Sequence, residues 1–302
     1  MGALKNYDGK GNNTMHRVLL PFEFFEPKTV DEALRLLHTA NSKLMAGGVD
    51  LVLKMRLRQI LPDAVIGLQK IPELDYIESN PAGLRFGALA SIRQIELSPL
   101  VQKNWTVLFE AVHQIASVQT KTMGTAVGNL CVATPTSDIA PPLFVLGAKV
   151  KIVGLNYEKL VPIENFFVAV GKTILEPNEI VTEIFVPGMP AGIGSAFLKA
   201  GKTAGDIAKV NAAVMVLVAD KICKDARIAL GSVGPTPIRV PEAEGLLKGQ
   251  KLDETMFAEA AVAAADAVKP ISDIRSTAKY RKEMVRVLVK DALAKAAANA
   301  KA

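Results

Sequence analysis

The chain has 302 residues, half of them hydrophobic and 22% charged. That is a globular composition, long enough for about two domains, and it excludes a mostly disordered chain. No apolar run approaches the roughly 18 to 20 residues of a membrane span. The net charge of +6 comes from scattered Lys and Arg with no basic block interleaved with aromatics, so nucleic acid is not the expected partner.

The start is polar and glycine-rich to Thr14 and has no apolar h-region, unlike a secretory signal. Residues 1–16 are expected to be disordered or extended, and Met15 offers an alternative start, because patterned sequence begins just after it. A short strand should precede Pro27. Thr29-Val-Asp-Glu32 fits a capping box, with Ala33, Leu34 and Leu37 following at helical spacing. A strand over 43–46 runs into Gly47-Gly48, then a helix over 50–57 and a strand over 64–68. This is a β-α-β-α-β arrangement in one small subdomain.

A strand over 84–90 and one helix over 100–116 come next, followed by an irregular stretch over 117–140 rich in Gly, Thr and Pro. Residues 148–153 alternate as a half-exposed strand does, and 181–186 form another strand, ended by Pro187-Gly188. The Pro/Gly-rich run over 187–194 marks a domain boundary. Three strands are expected over 195–200, 211–220 and 226–233, then a rigid turn at Gly234-Pro-Thr-Pro237. Helices over 242–248, 253–268 and from Thr277 onward complete the chain. Met284, Val287 and Leu288 form a core stripe, and the alanine-rich tail from Ala292 reads as frayed.

Chemistry-bearing residues are few. Cys131 and Cys223 lie far apart with no CxxC, so iron–sulfur or zinc ligation within this chain is not expected, and two free buried thiols are. His16, His38 and His113 are not at metal-ligand spacing, and there is no GxSxG. Two glycine loops stand out. Ala46-Gly-Gly-Val-Asp50 sits between a strand and a helix, where it is either an anion site at the helix start or a tight strand-to-helix turn. Gly124-Thr-Ala-Val-Gly-Asn-Leu130, followed by Thr134-Pro-Thr-Ser-Asp138, is either a pyrophosphate cradle or an Asx- and Ser/Thr-rich surface loop.

In this order and spacing the two loops resemble the flavin-binding medium subunit of molybdenum hydroxylases, a group that includes the carbon monoxide dehydrogenase medium subunit and the FAD domain of xanthine dehydrogenase. The first resembles the family's A-G-G-T-D-L, the second its G-T-I-G-G-N-L followed by A-x-P-x-S-D. Asn178-Glu-Ile-Val-Thr182, Asp206-Ile-Ala-Lys-Val-Asn211, Gly231-Ser-Val-Gly-Pro-Thr-Pro237 and Ile271-Ser-Asp-Ile-Arg275 with Tyr280-Arg281 also fit, so the likeness runs from Leu20 onward.

The resemblance implies an α+β fold: a two-subdomain FAD-binding module of the vanillyl-alcohol-oxidase (PCMH) type over 17–190, divided near 75, then a small antiparallel sheet with helices over 191–302. It implies a cytoplasmic oxidoreductase subunit that carries FAD and passes electrons from a small iron–sulfur subunit to an external acceptor. A large molybdenum subunit would complete a dimer of heterotrimers, with the molybdenum cofactor and the iron–sulfur clusters on the partners. This chain would hold no metal and no catalytic residue. Leu44, Met45, Ala46, Gly47, Gly48, Val49 and Asp50 would line the adenine and pyrophosphate side. Thr125, Ala126, Val127, Gly128 and Asn129 would hold the pyrophosphate and approach the isoalloxazine. Thr134 belongs to the same cofactor set, Asp138 would bind an FAD hydroxyl, Ile180 and Val181 would contact the flavin, and Lys199 would stand near it.

Three departures matter. Val127 replaces the first glycine of the family's G-G-N, and at positive φ a β-branched residue would cost on the order of 1–2 kcal/mol, narrowing the loop and weakening the flavin. Val49 stands where Thr or Gln is usual, and Lys121-Thr122 where Arg-Asn is. The two valines motivate an alternative, a flavin-free scaffold subunit. A free-standing flavin oxidoreductase would need its own base and substrate pocket, which the sequence does not offer.

Overall fold

The computed structural model describes residues 18–38 and 41–300. The expectations for residues 1–16, Met15 and His16 among them, lie outside these. The first lobe is built from β1 (Glu23–Phe25), α1 (Val30–Leu37), β2 (Ser42–Met45), α2 (Val49–Arg56) and β3 (Ala64–Gly67), forming a parallel sheet of order β1-β3-β2. Thr29 caps α1 by accepting the Glu32 N–H at 3.1 Å. The Glu32 carboxylate reaches back one residue further than a capping box requires, to the Lys28 N–H at 2.8 Å. Ala33, Leu34 and Leu37 are buried against the sheet, as their spacing required.

The second lobe contains β4 (Ile77–Asn80), β5 (Gly83–Gly87), six short helices, and then β6 (Lys149–Gly154), β7 (Tyr157–Pro162), the small hairpin β8 (Phe167–Ala169) and β9 (Lys172–Thr173), and β10 (Ile180–Pro187). Its antiparallel sheet has the order β4-β5-β10-β6-β7, so the last strand inserts at the centre. The helices are α3 (Ile92–Leu97), α4 (Pro99–Asn104), α5 (Thr106–His113), α6 (Val118–Met123), α7 (Ala126–Cys131) and α8 (Ala140–Val145). Two expectations are corrected here. The single helix over 100–116 is broken at Trp105, whose backbone leaves the helical region and whose indole N–H donates to the Pro187 carbonyl at 3.4 Å. The irregular stretch over 117–140 holds two short helices, α6 and α7, which Ser117 and Thr125 cap through their hydroxyls, and ends at the start of α8.

The C-terminal part pairs β11 (Ile193–Ala200), β12 (Val210–Ala219), β13 (Ile222–Gly231) and β14 (Ile238–Arg239) in an antiparallel sheet, followed by α9 (Pro241–Leu247), α10 (Glu254–Ala267) and α11 (Ala278–Asn299). Both faces of this sheet are buried, which explains its near-continuous apolar strands. Phe197, Ala213, Met215 and Ala229 pack into the core of the second lobe, while Ala196, Ala212, Val214, Val216, Ile228 and Leu230 face the C-terminal helices. Asp253 and Thr277 cap α10 and α11. Among the described residues no helix is long and apolar enough to cross a membrane.

The tail from Ala292 is not frayed. Ala292, Leu293 and Ala296 are fully buried in α11, because small side chains let the helix lie close on β11. A Cβ on Gly194 would stand 1.9 Å from the Ala296 carbonyl oxygen. Gly194→Val should therefore lever α11 off the sheet and lower the urea midpoint, at a cost of about 1–3 kcal/mol. An unchanged midpoint would contradict the close packing.

Candidate functional site

Three chain segments converge on one cleft of about 440 Å³. The first is the end of β2 and the start of α2. Its turn is pinned to β3, since the Leu68 N–H donates to the Met45 carbonyl at 3.0 Å and the Gln69 side-chain amide to that of Ala46. Gly48 sits at φ 71°, the left-handed region that glycine alone enters freely, and supplies no side-chain cap to α2. The first N–H groups of α2 therefore face the cleft with the positive end of the helix dipole and no internal acceptor. Val49 is half exposed at the mouth.

The second segment is α7 with the residues before it. It is tied to the start of α3 through Ile92 N–H to the Gly124 carbonyl at 2.9 Å and a bridge between Ser91 and Thr125. The Thr125 hydroxyl accepts the Gly128 N–H at 3.0 Å, which directs the rest of this turn at the cleft. The third segment is the start of β10, where Ile180 and Val181 provide an apolar wall together with Leu175 and Ile115. Glu179 also borders the cleft. Burial would lift its carboxyl, but hydrogen bonds from Lys159, the Glu176 N–H and Tyr157 outweigh that and hold it below the usual range.

Of the residues expected from sequence, Leu44, Met45, Ala46, Gly47, Gly48, Val49, Asp50, Thr125, Val127, Gly128, Asn129, Ile180 and Val181 all line this cleft. Ala126 is fully buried behind it. Thr134 lies apart and pairs with Thr136 at 2.9 Å. Asp138 and Lys199 also lie off the cleft, bound to each other at 2.8 Å. Asp138 also accepts from Asn211 Nδ2 at 2.7 Å, and Lys199 donates to the Gln114 carbonyl at 2.8 Å. Burial lifts the Asp138 carboxyl above its ordinary value, while Lys199 and Asn211 pull it back. Lys199 lines a second cavity of about 600 Å³ with His113, Gln114 and the 201–205 loop. Sequence patterning gave no signal for Gln69, and although Ser137 and Asn211 stand in the motifs that carry the family likeness, their contacts across long stretches of chain were not legible there.

The strain expected at Val127 does not occur. Val127 lies within α7, is absent from the residues with positive φ, and is only 4% exposed in the main core. Val127→Gly should accordingly lower the thermal midpoint through lost burial and helix propensity, rather than tighten any ligand. Tighter ligand binding with unchanged stability would restore the strained reading.

Both cysteines are free thiols, Cys223 buried as expected but Cys131 only half-buried, because it stands at the wall of the cleft. Its surroundings push the Cys131 thiol up to about 12, which leaves little thiolate at neutral pH. Alkylation of Cys131 by iodoacetamide at pH 7.5 should be correspondingly slow when followed by peptide mass spectrometry, and rapid labelling would refute a neutral thiol at this wall. Among the described residues, no three His, Cys, Asp or Glu side chains converge as a metal site.

Comparison with known proteins places this geometry. Residues 20–189 match the model of the FAD binding domain in molybdopterin dehydrogenase, and residues 195–296 match the CO dehydrogenase flavoprotein C-terminal domain. The carbon monoxide dehydrogenase medium chain of Hydrogenophaga pseudoflava is 34% identical over 274 residues, covering 90% of this chain and 96% of that one. The nicotinate dehydrogenase FAD-subunit of Eubacterium barkeri is 32% identical over 278 residues, covering 89% and 94%. A solved structure of carbon monoxide dehydrogenase from Hydrogenophaga pseudoflava superposes with a TM-score of 0.91 at 34% identity, over 94% of this chain and 100% of that one.

Proposed function

This chain belongs to the family of FAD-binding medium subunits of molybdenum hydroxylases, and we propose that it holds FAD in the cleft between its first two lobes and relays electrons from a small iron–sulfur subunit to an external acceptor. In this reading it works beside a large molybdenum subunit, in a cytoplasmic dimer of heterotrimers, and its division lies near residue 190. The observation that carries the reading is the cleft itself. It combines an uncapped helix start at α2, a glycine-bearing turn at α7 and an apolar wall at Ile180 and Val181.

These residues fit the cofactor by chemistry. Backbone N–H groups at the start of α2 suit the two negative charges of a pyrophosphate, whereas before α7 the Gly124 and Ala126 N–H groups already donate to the Thr120 and Ala90 carbonyls. Leu44, Met45 and Ala46 offer apolar surface to the adenosine end, and Ile180 with Val181 offers it to a flat ring system. The Glu179 carboxylate at the border is neutralised by Lys159, so it presents no free negative charge to an anion. When bound, FAD supplies the redox chemistry, and the protein supplies position and electrostatics. Asp138 is engaged by Lys199 and Asn211, so its part is bracing rather than direct contact with an FAD hydroxyl.

The test is an absorption spectrum of the purified chain, then acid release and chromatography of any flavin, together with metal analysis of the complex it purifies with. Stoichiometric FAD alongside molybdenum and iron is expected. A protein that stays colourless after incubation with FAD, even when isolated with its partners, would overturn the reading in favour of a scaffold subunit.

A further inference from the structure

We infer that Ser137 is a positioning residue for the cofactor cleft: its buried hydroxyl fixes the amide orientation of Asn129, and the C-terminal sheet holds Ser137 in place to do so. The inference rests on the reading that the cleft holds FAD. Asn129 lines the cleft from α7, and its Oδ1 accepts a hydrogen bond from Ser137 Oγ at 2.6 Å. Ser137 is 2% exposed, and its Oγ already accepts the Ala140 N–H at 3.2 Å. A hydroxyl has one proton and two lone pairs; Asn129 Oδ1 is the acceptor the structure gives that proton, and reversing the amide would leave the buried proton without it. The Asn129 carbonyl is thereby turned into the protein, and the two N–H bonds of Nδ2 become the polar surface that the amide offers a ligand. An anionic or carbonyl-bearing cofactor needs donors there, and the reversed amide would present an acceptor instead.

Ser137 does not hold this position by local structure alone. Asn211, fully buried on β12, donates Nδ2 to the Ser137 carbonyl at 3.1 Å and to Asp138 Oδ1 at 2.7 Å. Lys199, its register partner on β11, clamps the other oxygen of Asp138. Two strands of the C-terminal sheet thus grip the Ser137–Asp138 peptide, and Ser137 passes that constraint to α7 at the cleft. The C-terminal sheet therefore sets cofactor affinity without lining the cofactor's main cleft.

The experiment is a double-mutant cycle on the full chain, with FAD dissociation constants measured by fluorescence titration after the flavin has been stripped. Ser137→Ala should weaken FAD binding about three- to tenfold, the range for one lost hydrogen bond, and shift the fine structure of the bound flavin spectrum. In an Asn129→Ala background the same substitution should have no further effect, because Ser137 acts through that amide. Should Ser137→Ala fold poorly, Ser137→Cys serves in its place: it keeps the side chain's shape but replaces the hydroxyl by a weak donor, so binding should weaken in the wild-type background and not in Asn129→Ala. Equal losses in both backgrounds, or no loss from either Ser137 substitution, would each overturn the inference while leaving the FAD reading intact. A wild-type chain that takes up no FAD would overturn the reading beneath it.

Discussion

Gly47→Ala is expected to empty the cleft of flavin and destabilise the chain together. The added methyl would lie 1.8 Å from the Met123 carbonyl oxygen, 2.7 Å from its carbon and 3.1 Å from Gly124 Cα. All three are backbone atoms, so no rotamer change relieves the clash. The turn after β2 and the end of α6 must part, and they carry the two loops that bracket the cleft. Overpacking of a well-filled core typically costs about 1–3 kcal/mol, and a contact this short between two backbones belongs at or beyond the upper end. The measurements are the urea midpoint and the ratio of released FAD to protein. Gly245→Ala is the control, because nothing lies within 4 Å of a methyl there and its helical site should gain slightly. A Gly47→Ala chain with wild-type midpoint and flavin content would show that the two loops are not in contact.

Lys199→Met should be the most destabilising single change at the boundary between the second lobe and the C-terminal sheet. It leaves the Asp138 carboxylate buried with Asn211 as its remaining side-chain partner. Breaking one side of such a pair costs about 3–5 kcal/mol, most of it from the charge left behind. The pH dependence gives the mechanism away. Burial already lifts Asp138 above its ordinary value of 3.8, and removing Lys199 lifts it further. An acid whose folded value is raised binds its proton more readily when folded, so stability falls as pH rises through the interval between the two values. The deficit relative to wild type should therefore be small near pH 4 and large at pH 7.5. Adding Asp138→Asn should recover much of it at neutral pH. A deficit of the same size at both pH values would mean that the loss is one of packing, not of charge.

Local chemistry made much of this fold legible. Thr29, Asp253 and Thr277 cap the helices their spacing announced, and the β-α-β-α-β unit around Gly47-Gly48 stands where the alternation put it. The elements that escaped reading are those whose local signal is weak. β7 is a polar, half-exposed strand, and α6 and α7 are helices of six residues whose Thr, Gly and Asn content looks like loop. Trp105 breaks a continuous helical pattern for a tertiary reason, its packing by Pro187. The same limit applied to the site. The glycine loops were visible because they are contiguous. That Asp138 is bound to a lysine 61 residues away is a fact of packing, and no motif carries it.

The central place of β10 has a kinetic consequence. Its neighbours β5 and β6 cannot pair with each other, so the five-stranded sheet stays open until a strand some hundred residues downstream of β5 slides between them. Contacts of such long sequence separation are slow to form, because chain entropy must be lost before any pairing compensates it. Ile180 and Val181, the cleft's apolar wall, ride on that same strand. A nascent chain therefore has no place for a ring system until the insertion is complete, and cofactor capture must follow closure of the sheet. Refolding followed by flavin fluorescence should accordingly lag behind the return of far-ultraviolet ellipticity.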